Sequence, residues 1–313
     1  MSLIEQAAKR LEQLRQAGVE LPEETAAHAP AKKSRTAAIT PDPYDAPVIP
    51  PSATVGEQKR AAAQVSKRVE LNLEAISASG LLVPQASRSQ LADEFRVIKR
   101  PLIANAMGKS GEPLPNGNLI MVTSALPGEG KSFTAINLAI SIAMELDNTV
   151  MLVDADVARP SVLNMLGLPP APGLLDVVDK NSVDISGVLL RTNVEKLSIL
   201  PSGTQHPRAT ELLASDAMVR LLDDMASRYS DRIIIFDSPP LLLTTESRAL
   251  ATHMGQIVIV VNAENTAQAA VKQAVDAIET CPVKMMVLNQ ARQASTDGYG
   301  YGYGYGYGYG DEK

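Results

Sequence analysis

An eight-residue stretch, Ala125-Leu126-Pro127-Gly128-Glu129-Gly130-Lys131-Ser132, follows a short apolar run at 119–123 and opens a helical pattern at 131–146. It satisfies the phosphate-loop pattern with Ala125 in place of the first glycine. This context constrains the fold more than any other feature of the chain. A strand must end where the loop begins, and a helix must begin where the loop ends. Gly128 and Gly130 permit a tight turn in which successive N–H groups face a common point. The helix N-terminus adds its dipole at the same place. Pro127, Gly128, Glu129, Gly130, Lys131, Ser132 and Phe133 are therefore the candidate nucleotide-binding residues of the loop. Lys131 is expected to neutralise β- and γ-phosphate charge, and the Ser132 hydroxyl to hold magnesium. The bland alternative is a glycine-rich turn with a surface lysine, and the strand before it and helix after it count against that.

From residue 118 onward, short apolar runs alternate with helical segments. Strands are predicted at 119–123, 149–153, 197–200, 232–236, 256–261 and 283–288. Helices are predicted at 131–146, 210–229, 245–253 and 266–280. Near-continuous apolar strands separated by helices indicate a mostly parallel sheet covered on both faces, a doubly wound α/β domain of the phosphate-loop NTPase kind. Ligands of such sheets bind at the C-terminal ends of strands. Upstream, Leu91, Phe95, Ile98 and Leu102 recur at helical spacing within 89–106, and residues 60–76 can form a further helix. Residues 2–17 read as an amphipathic helix with Ser2 and Glu5 at capping-box spacing and a stripe of Ile4, Ala7, Leu11 and Leu14. The Pro/Ala-rich stretch 21–55 reads as an extended linker. The resulting division is an N-terminal helix at 1–20, a linker and helical segment at 21–87, a nucleotide-binding domain at 88–296 and a tail at 297–313.

Two further motifs fall at predicted strand ends. Met151-Leu152-Val153-Asp154-Ala155-Asp156 carries two carboxylates, and Ile233-Ile234-Ile235-Phe236-Asp237-Ser238 carries a third. Carboxylates so placed bind hard cations through oxygen, which makes Ser132, Asp154 and Asp237 the candidate magnesium ligands. Asp154 is also placed to take a proton from an incoming hydroxyl, so Lys131, Asp154 and Asp156 form the candidate catalytic set. Each aspartate taken singly could instead cap the helix or turn that follows it. Asn289, at the end of the last predicted strand, is the candidate adenine contact, with strand capping as the alternative.

Composition excludes several classes. The chain is 45% hydrophobic but has no uninterrupted apolar run long enough to span a membrane, and its first residues lack the pattern of a secretory signal. A cytoplasmic protein is expected. The single cysteine, Cys281, excludes an intramolecular disulfide and multi-cysteine metal sites, and reads as a small buried apolar residue. The net charge of −6 is uneven: residues 1–110 carry an excess of three positive charges and residues 111–313 an excess of nine negative ones. An acidic nucleotide-binding half argues against nucleic acid as a partner. The tail alternates tyrosine and glycine, with Tyr299, Tyr301, Tyr303, Tyr305, Tyr307 and Tyr309 at every second position. Alone, such a repeat reads as disordered low-complexity sequence. Beside a phosphate loop it reads as a row of phosphate acceptors.

Together the three motifs resemble the Walker A, A′ and B set of the bacterial tyrosine kinases, over roughly residues 88–310, and the tail resembles that family's autophosphorylation cluster. The Asp154-Ala155-Asp156-Val157-Ala158-Arg159-Pro160 run is similar to the exosortase-associated subgroup. The resemblance implies an ATP- and magnesium-dependent protein-tyrosine autokinase of exopolysaccharide or capsule synthesis and export. It implies a membrane chain-length regulator as activating partner on a separate chain, recruitment to the inner face of the membrane, a cognate tyrosine phosphatase and a homo-oligomer in the form of a ring. Asp93, Arg96 and Lys99 match the family's Glu-x-x-Arg-x-x-Arg oligomerisation helix with two substitutions. Gly173-Leu174-Leu175-Asp176-Val177 and Glu211-Leu212-Leu213 are further echoes. Departures are Phe133, where many members have threonine, and Ala158, where the family has arginine and this chain places Arg159 next. The alternatives are a non-kinase ATPase switch of the site-positioning or partitioning type and a nucleotide-binding scaffold. The switch proteins carry a lysine near the start of the loop, and Ser124-Ala125-Leu126-Pro127 has none.

Overall fold

A computed structural model describes residues 66–86, 88–111, 113–179, 184–228 and 231–291. The amphipathic segment at 2–17, the linker at 21–55 and the tyrosine tail lie outside the described residues. The elements are β1 (Lys67–Arg68), α1 (Leu73–Ala78), α2 (Gln90–Ala106), β2 (Leu119–Ser124), α3 (Lys131–Ala143), β3 (Thr149–Asp154), α4 (Val162–Met165) and α5 (Leu174–Asp179). They continue with α6 (Ile185–Val188), β4 (Leu190–Arg191), β5 (Leu197–Leu200), α7 (Ala209–Leu213), α8 (Asp216–Arg228), β6 (Arg232–Asp237), α9 (Thr245–Ala251), β7 (Gln256–Asn262), α10 (Gln268–Asp276) and β8 (Val283–Asn289).

The strands form one sheet in the order β1-β4-β5-β3-β6-β2-β7-β8, parallel throughout except for the β4–β5 pair. Each of the six predicted strands is present. Every residue of β2 and β7 is buried, as a strand covered on both faces requires. Alternate residues of β2 serve opposite layers. Ile120 and Val122 join Phe95 and Leu102 of α2 and Leu138 and Ile142 of α3, whereas Leu119 and Met121 join Leu222 of α8, Leu250 of α9 and Ala274 of α10. Cys281 is buried on the second side. No helix among the described residues is long and apolar enough to cross a membrane.

Two expectations are corrected. The predicted helix at 210–229 is two helices. Ser215 interrupts it, accepting a hydrogen bond at Oγ from Met218 N (3.3 Å) and so opening α8 as a cap would. In the 60–76 segment, the described part begins with strand β1, and helix α1 starts only at Leu73, capped by Asn72. The folded body also extends upstream of 88. Leu71, Ile76, Leu81, Leu82 and Val83 are buried in the layer formed by α2 and α3.

Two amides fasten this N-terminal arm. Asn193 accepts from Leu71 N (2.9 Å) and donates to Leu71 O (3.1 Å). Asn137, fully buried in α3, accepts from Leu82 N (2.6 Å) and donates to Phe133 O (2.9 Å), one turn from the phosphate loop. Lys99, of the candidate oligomerisation set, is held within the fold. It is 4% exposed, donates to Ser141 O (2.6 Å) and pairs with Glu145 (2.6 Å) at the end of α3. It therefore binds its own chain, while Asp93 and Arg96 pair with each other on the exposed face of α2.

Replacing Asn137 by alanine strands a buried N–H and removes a partner from Phe133 O. The expected loss is about 2–3 kcal/mol in urea unfolding, against about 1 kcal/mol for Asn193→Ala at its half-buried site. Equal losses would contradict this account of the arm.

Candidate active site

Strand order brings the three motifs together. β6 lies between β2 and β3, with Asp237 in register with Asp154 on one side and Val122 on the other. Ala155 N donates to Asp237 O (2.8 Å), so the ends of β3 and β6 remain joined beyond the last strand residue. The phosphate loop leaves the adjacent end of β2. Its turn uses left-handed backbone at Gly128 (φ 81°) and Gly130 (φ 93°). A Cβ on Gly130 would also stand 2.1 Å from Asn289 Nδ2, so a side chain there would have to displace Asn289 as well as strain the backbone.

Two of the candidate nucleotide-binding residues also brace the loop. Glu129 is 2% exposed, and its carboxylate accepts from Leu126 N (2.6 Å), Asn262 N (3.3 Å) and the Thr266 hydroxyl. Asn289 Nδ2 donates to Glu129 O (2.9 Å). Sequence reasoning missed Asn262 and Thr266, which lie more than 130 residues from the loop and match no motif. Phe133 packs against the α2–α3 layer and lines a groove of about 430 Å³ with Leu91, Phe95, Ile98, Val287 and Asn289.

Lys131 lies among the carboxylates. Its Nζ is 2.7 Å from Asp156 Oδ2 and 3.9 Å from Asp237 Oδ1. Burial lowers its pKa, but the charges of Asp237, Asp156 and Asp154 outweigh that and hold it above its ordinary value. Asp154 is 1% exposed and has two different oxygens. Oδ2 accepts from Ser161 N and Val162 N (3.1 Å each) at the start of α4, and Oδ1 has no partner among the described residues. Asp156 similarly accepts from Arg159 N (3.1 Å) with one oxygen and holds Lys131 with the other. The capping reading is thus realised on one oxygen of each aspartate, which leaves the other oxygen outside the cap. Asp237 is fully buried, and among the described residues neither of its oxygens has a hydrogen-bond partner.

Burial, and then the nearby Asp237 charge, raise Asp154 to about 7. Burial raises Asp237 to about 6 against the opposing pull of Lys131. Three orphaned carboxylate oxygens beside the Ser132 hydroxyl, itself bonded to Ser161 Oγ (2.8 Å), fit a hard divalent cation. Among the described residues no three His, Cys, Asp or Glu side chains can hold a metal unaided, so phosphate oxygens and water would complete such a site. Two cavities flank the cluster. One of about 390 Å³ opens on Lys131 and Asp156, and one of about 570 Å³ opens on Asp154.

An AAA-domain family model matches residues 117–290, more than half of the chain. The tyrosine-protein kinase YwqD of Bacillus subtilis is 34% identical over 167 residues, covering 53% of this chain and 69% of YwqD. The succinoglycan biosynthesis transport protein ExoP of Rhizobium meliloti is 31% identical over 183 residues, covering 58% of this chain. The kinase domain of the Escherichia coli tyrosine kinase ETK superposes with a TM-score of 0.52 at 27% identity, covering 60% of this chain and 73% of that one. The chain spans only 22% of ExoP's length.

The raised carboxyls give the ligand-free protein a pH dependence. Between 3.8, their ordinary value, and about 7, the folded state holds protons that the unfolded chain has released. Their contribution is present in full below pH 3.8 and is lost as pH rises through the folded values. In EDTA, stability should fall by several kcal/mol from pH 5 to pH 8, because each tenfold difference in proton affinity between folded and unfolded chain is worth about 1.4 kcal/mol. Asp237→Asn should flatten that slope. Calorimetric scans with parallel slopes for both proteins would refute this assignment.

Proposed function

The chain belongs to the AAA-domain family and, within it, to the bacterial tyrosine-protein kinases, and from that premise we propose an ATP- and magnesium-dependent autokinase acting on its own C-terminal tyrosines. The observation that carries this reading is Lys131 gathered with Asp154, Asp156 and Asp237 at the mouth of a phosphate loop, three of the carboxylate oxygens lacking a hydrogen bond among the described residues. In this mechanism the phosphates of ATP take up the N–H groups of the 128–132 turn and draw Lys131 from Asp156. Magnesium, held by Ser132, Asp154 and Asp237, would neutralise charge on the transferring phosphoryl group. Asp156, released from Lys131 and walling the 390 Å³ cavity, accepts the phenol proton. The tyrosine oxygen bonds to the γ-phosphorus, the bond to the β,γ-bridging oxygen breaks, and ADP leaves with the electron pair. Proton acceptance passes here from Asp154 to Asp156, because Asp154 caps α4 and opens on the other cavity.

The acceptors are Tyr299, Tyr301, Tyr303, Tyr305, Tyr307 and Tyr309. Similarity to ExoP, a succinoglycan biosynthesis transport protein, supports a role in polysaccharide synthesis or export. We further propose activation by a membrane chain-length regulator, recruitment to the inner face of the membrane and reversal by a tyrosine phosphatase. Self-assembly into a ring would use the exposed Asp93–Arg96 face of α2 without Lys99. Each phosphate adds roughly −1.5 to −2 charge, so repulsion between modified tails and the acidic half would loosen the ring.

With ATP and magnesium, intact mass spectrometry should show successive phosphate additions. Lys131→Ala, and a chain ending at Gly298, should each lose them by about a hundredfold or more. ATP hydrolysis without incorporation, in the presence of the regulator's cytoplasmic segment, would replace this reading with the ATPase switch.

A further inference from the structure

Every tyrosine of the tail has glycine on both sides. An acceptor of that kind offers no flanking side chain, so recognition must come from the phenol ring and the backbone. The site should therefore contain an apolar seat for one ring, next to Lys131 and Asp156.

The 390 Å³ cavity has that character. It is lined by Pro127 and Gly128 of the phosphate loop, by Lys131 and Asp156, and by Pro239, Pro240 and Leu243 of the loop after β6. The wall supplied by the loop after β6 is rigid for identifiable reasons. Pro239 O accepts from the Thr123 hydroxyl (2.8 Å), Ser238 Oγ donates to Val122 O (3.0 Å), and Leu241 N donates to Ser124 O (2.9 Å). Arg248 Nε donates to Leu241 O (3.0 Å), and the Thr244 hydroxyl donates to Pro240 O (3.3 Å). These bonds tie the loop after β6 to the end of β2, from which the phosphate loop also springs. At the tip of this fixed loop Leu243 is 62% exposed. A single exposed leucine is ordinary. This one stands on a braced loop, with prolines on both walls, facing the only lysine of the phosphate loop. The larger cavity is a poorer seat for the acceptor, since it contacts neither Lys131 nor the loop.

We infer that this cavity is the acceptor-tyrosine subsite, in which the phenol ring of a 299–309 tyrosine lies between Pro127 and the Pro239–Leu243 wall, with Leu243 as the specificity-determining residue. The inference rests on the autokinase reading for the identity of the occupant. Glycine neighbours let the acceptor backbone approach the mouth closely, and Arg159, which also lines the cavity, offers a cation there.

The experiment titrates a Gly-Tyr-Gly-Tyr-Gly peptide into the full chain loaded with magnesium and a non-hydrolysable ATP analogue, following binding by calorimetry. Peptide phosphorylation with ATP is measured in parallel. Leu243→Ser should weaken peptide binding and raise the peptide KM about tenfold, while analogue affinity and melting temperature stay unchanged. Leu243→Met should restore both. A peptide that binds Leu243→Ser as well as wild type, or does not bind wild type at all, would overturn the subsite. Binding that depends on Leu243 without any phosphate transfer would keep the subsite and discard the autokinase reading.

Discussion

One ammonium group organises this molecule. Lys131 is nearly buried at the start of α3, beside Asp156 and within reach of Asp237. Three carboxylates could not share a dry pocket without compensation, because each buried negative charge raises the free energy of the others. Lys131 compensates in part, and the remaining strain shows in the raised carboxyls of Asp154 and Asp237. A cation and phosphates together would complete the neutralisation: the cation answers the unpartnered oxygens, and the phosphates answer the lysine. The ligand-free site thus stores an electrostatic imbalance that its ligands relieve.

That arrangement requires the end of the sheet to be stiff. The loop's N–H groups must point into the site with no help from side chains in the turn, so the turn is held from behind. Glu129 ties it to the start of Leu126 and to the segment after β7, and Asn289 ties it to the end of β8. The loop after β6 is fixed to β2 in the same way. What stays exposed between these braced segments is the apolar lip at Leu243 and the cavity behind it. The N-terminal arm reaches the same region from the other side, since Asn137 connects Leu82 to the first turn of α3.

Legibility in the sequence was uneven, and the reason is the range of each interaction. The six main strands were legible because a fully buried strand writes its environment as an uninterrupted apolar run. The phosphate loop and the three aspartates were legible because each motif is contiguous and sits where a strand stops. The break within 210–229 was harder to see: Ser215 is a poor helix former, but only its hydrogen bond to Met218 marks it as a cap. The burial of Lys99 was not legible, because a lysine at helical spacing carries no sign of whether the facing helix will bury it.

The sequence by itself determined the sheet, the phosphate loop and the chemical identity of the groups around it, all of which follow from local patterns of polarity and turn chemistry. Only the tertiary structure decided how those groups divide their work. The order β3-β6-β2 placed Asp154 and Asp237 in register, and burial then left three of their oxygens without partners among the described residues. Tertiary contact likewise made Glu129 and Asn289 braces of the loop, and set Lys131 against Asp156 rather than open solvent. These outcomes depend on which distant segments become neighbours and on how completely they exclude water, and neither is encoded at any single position.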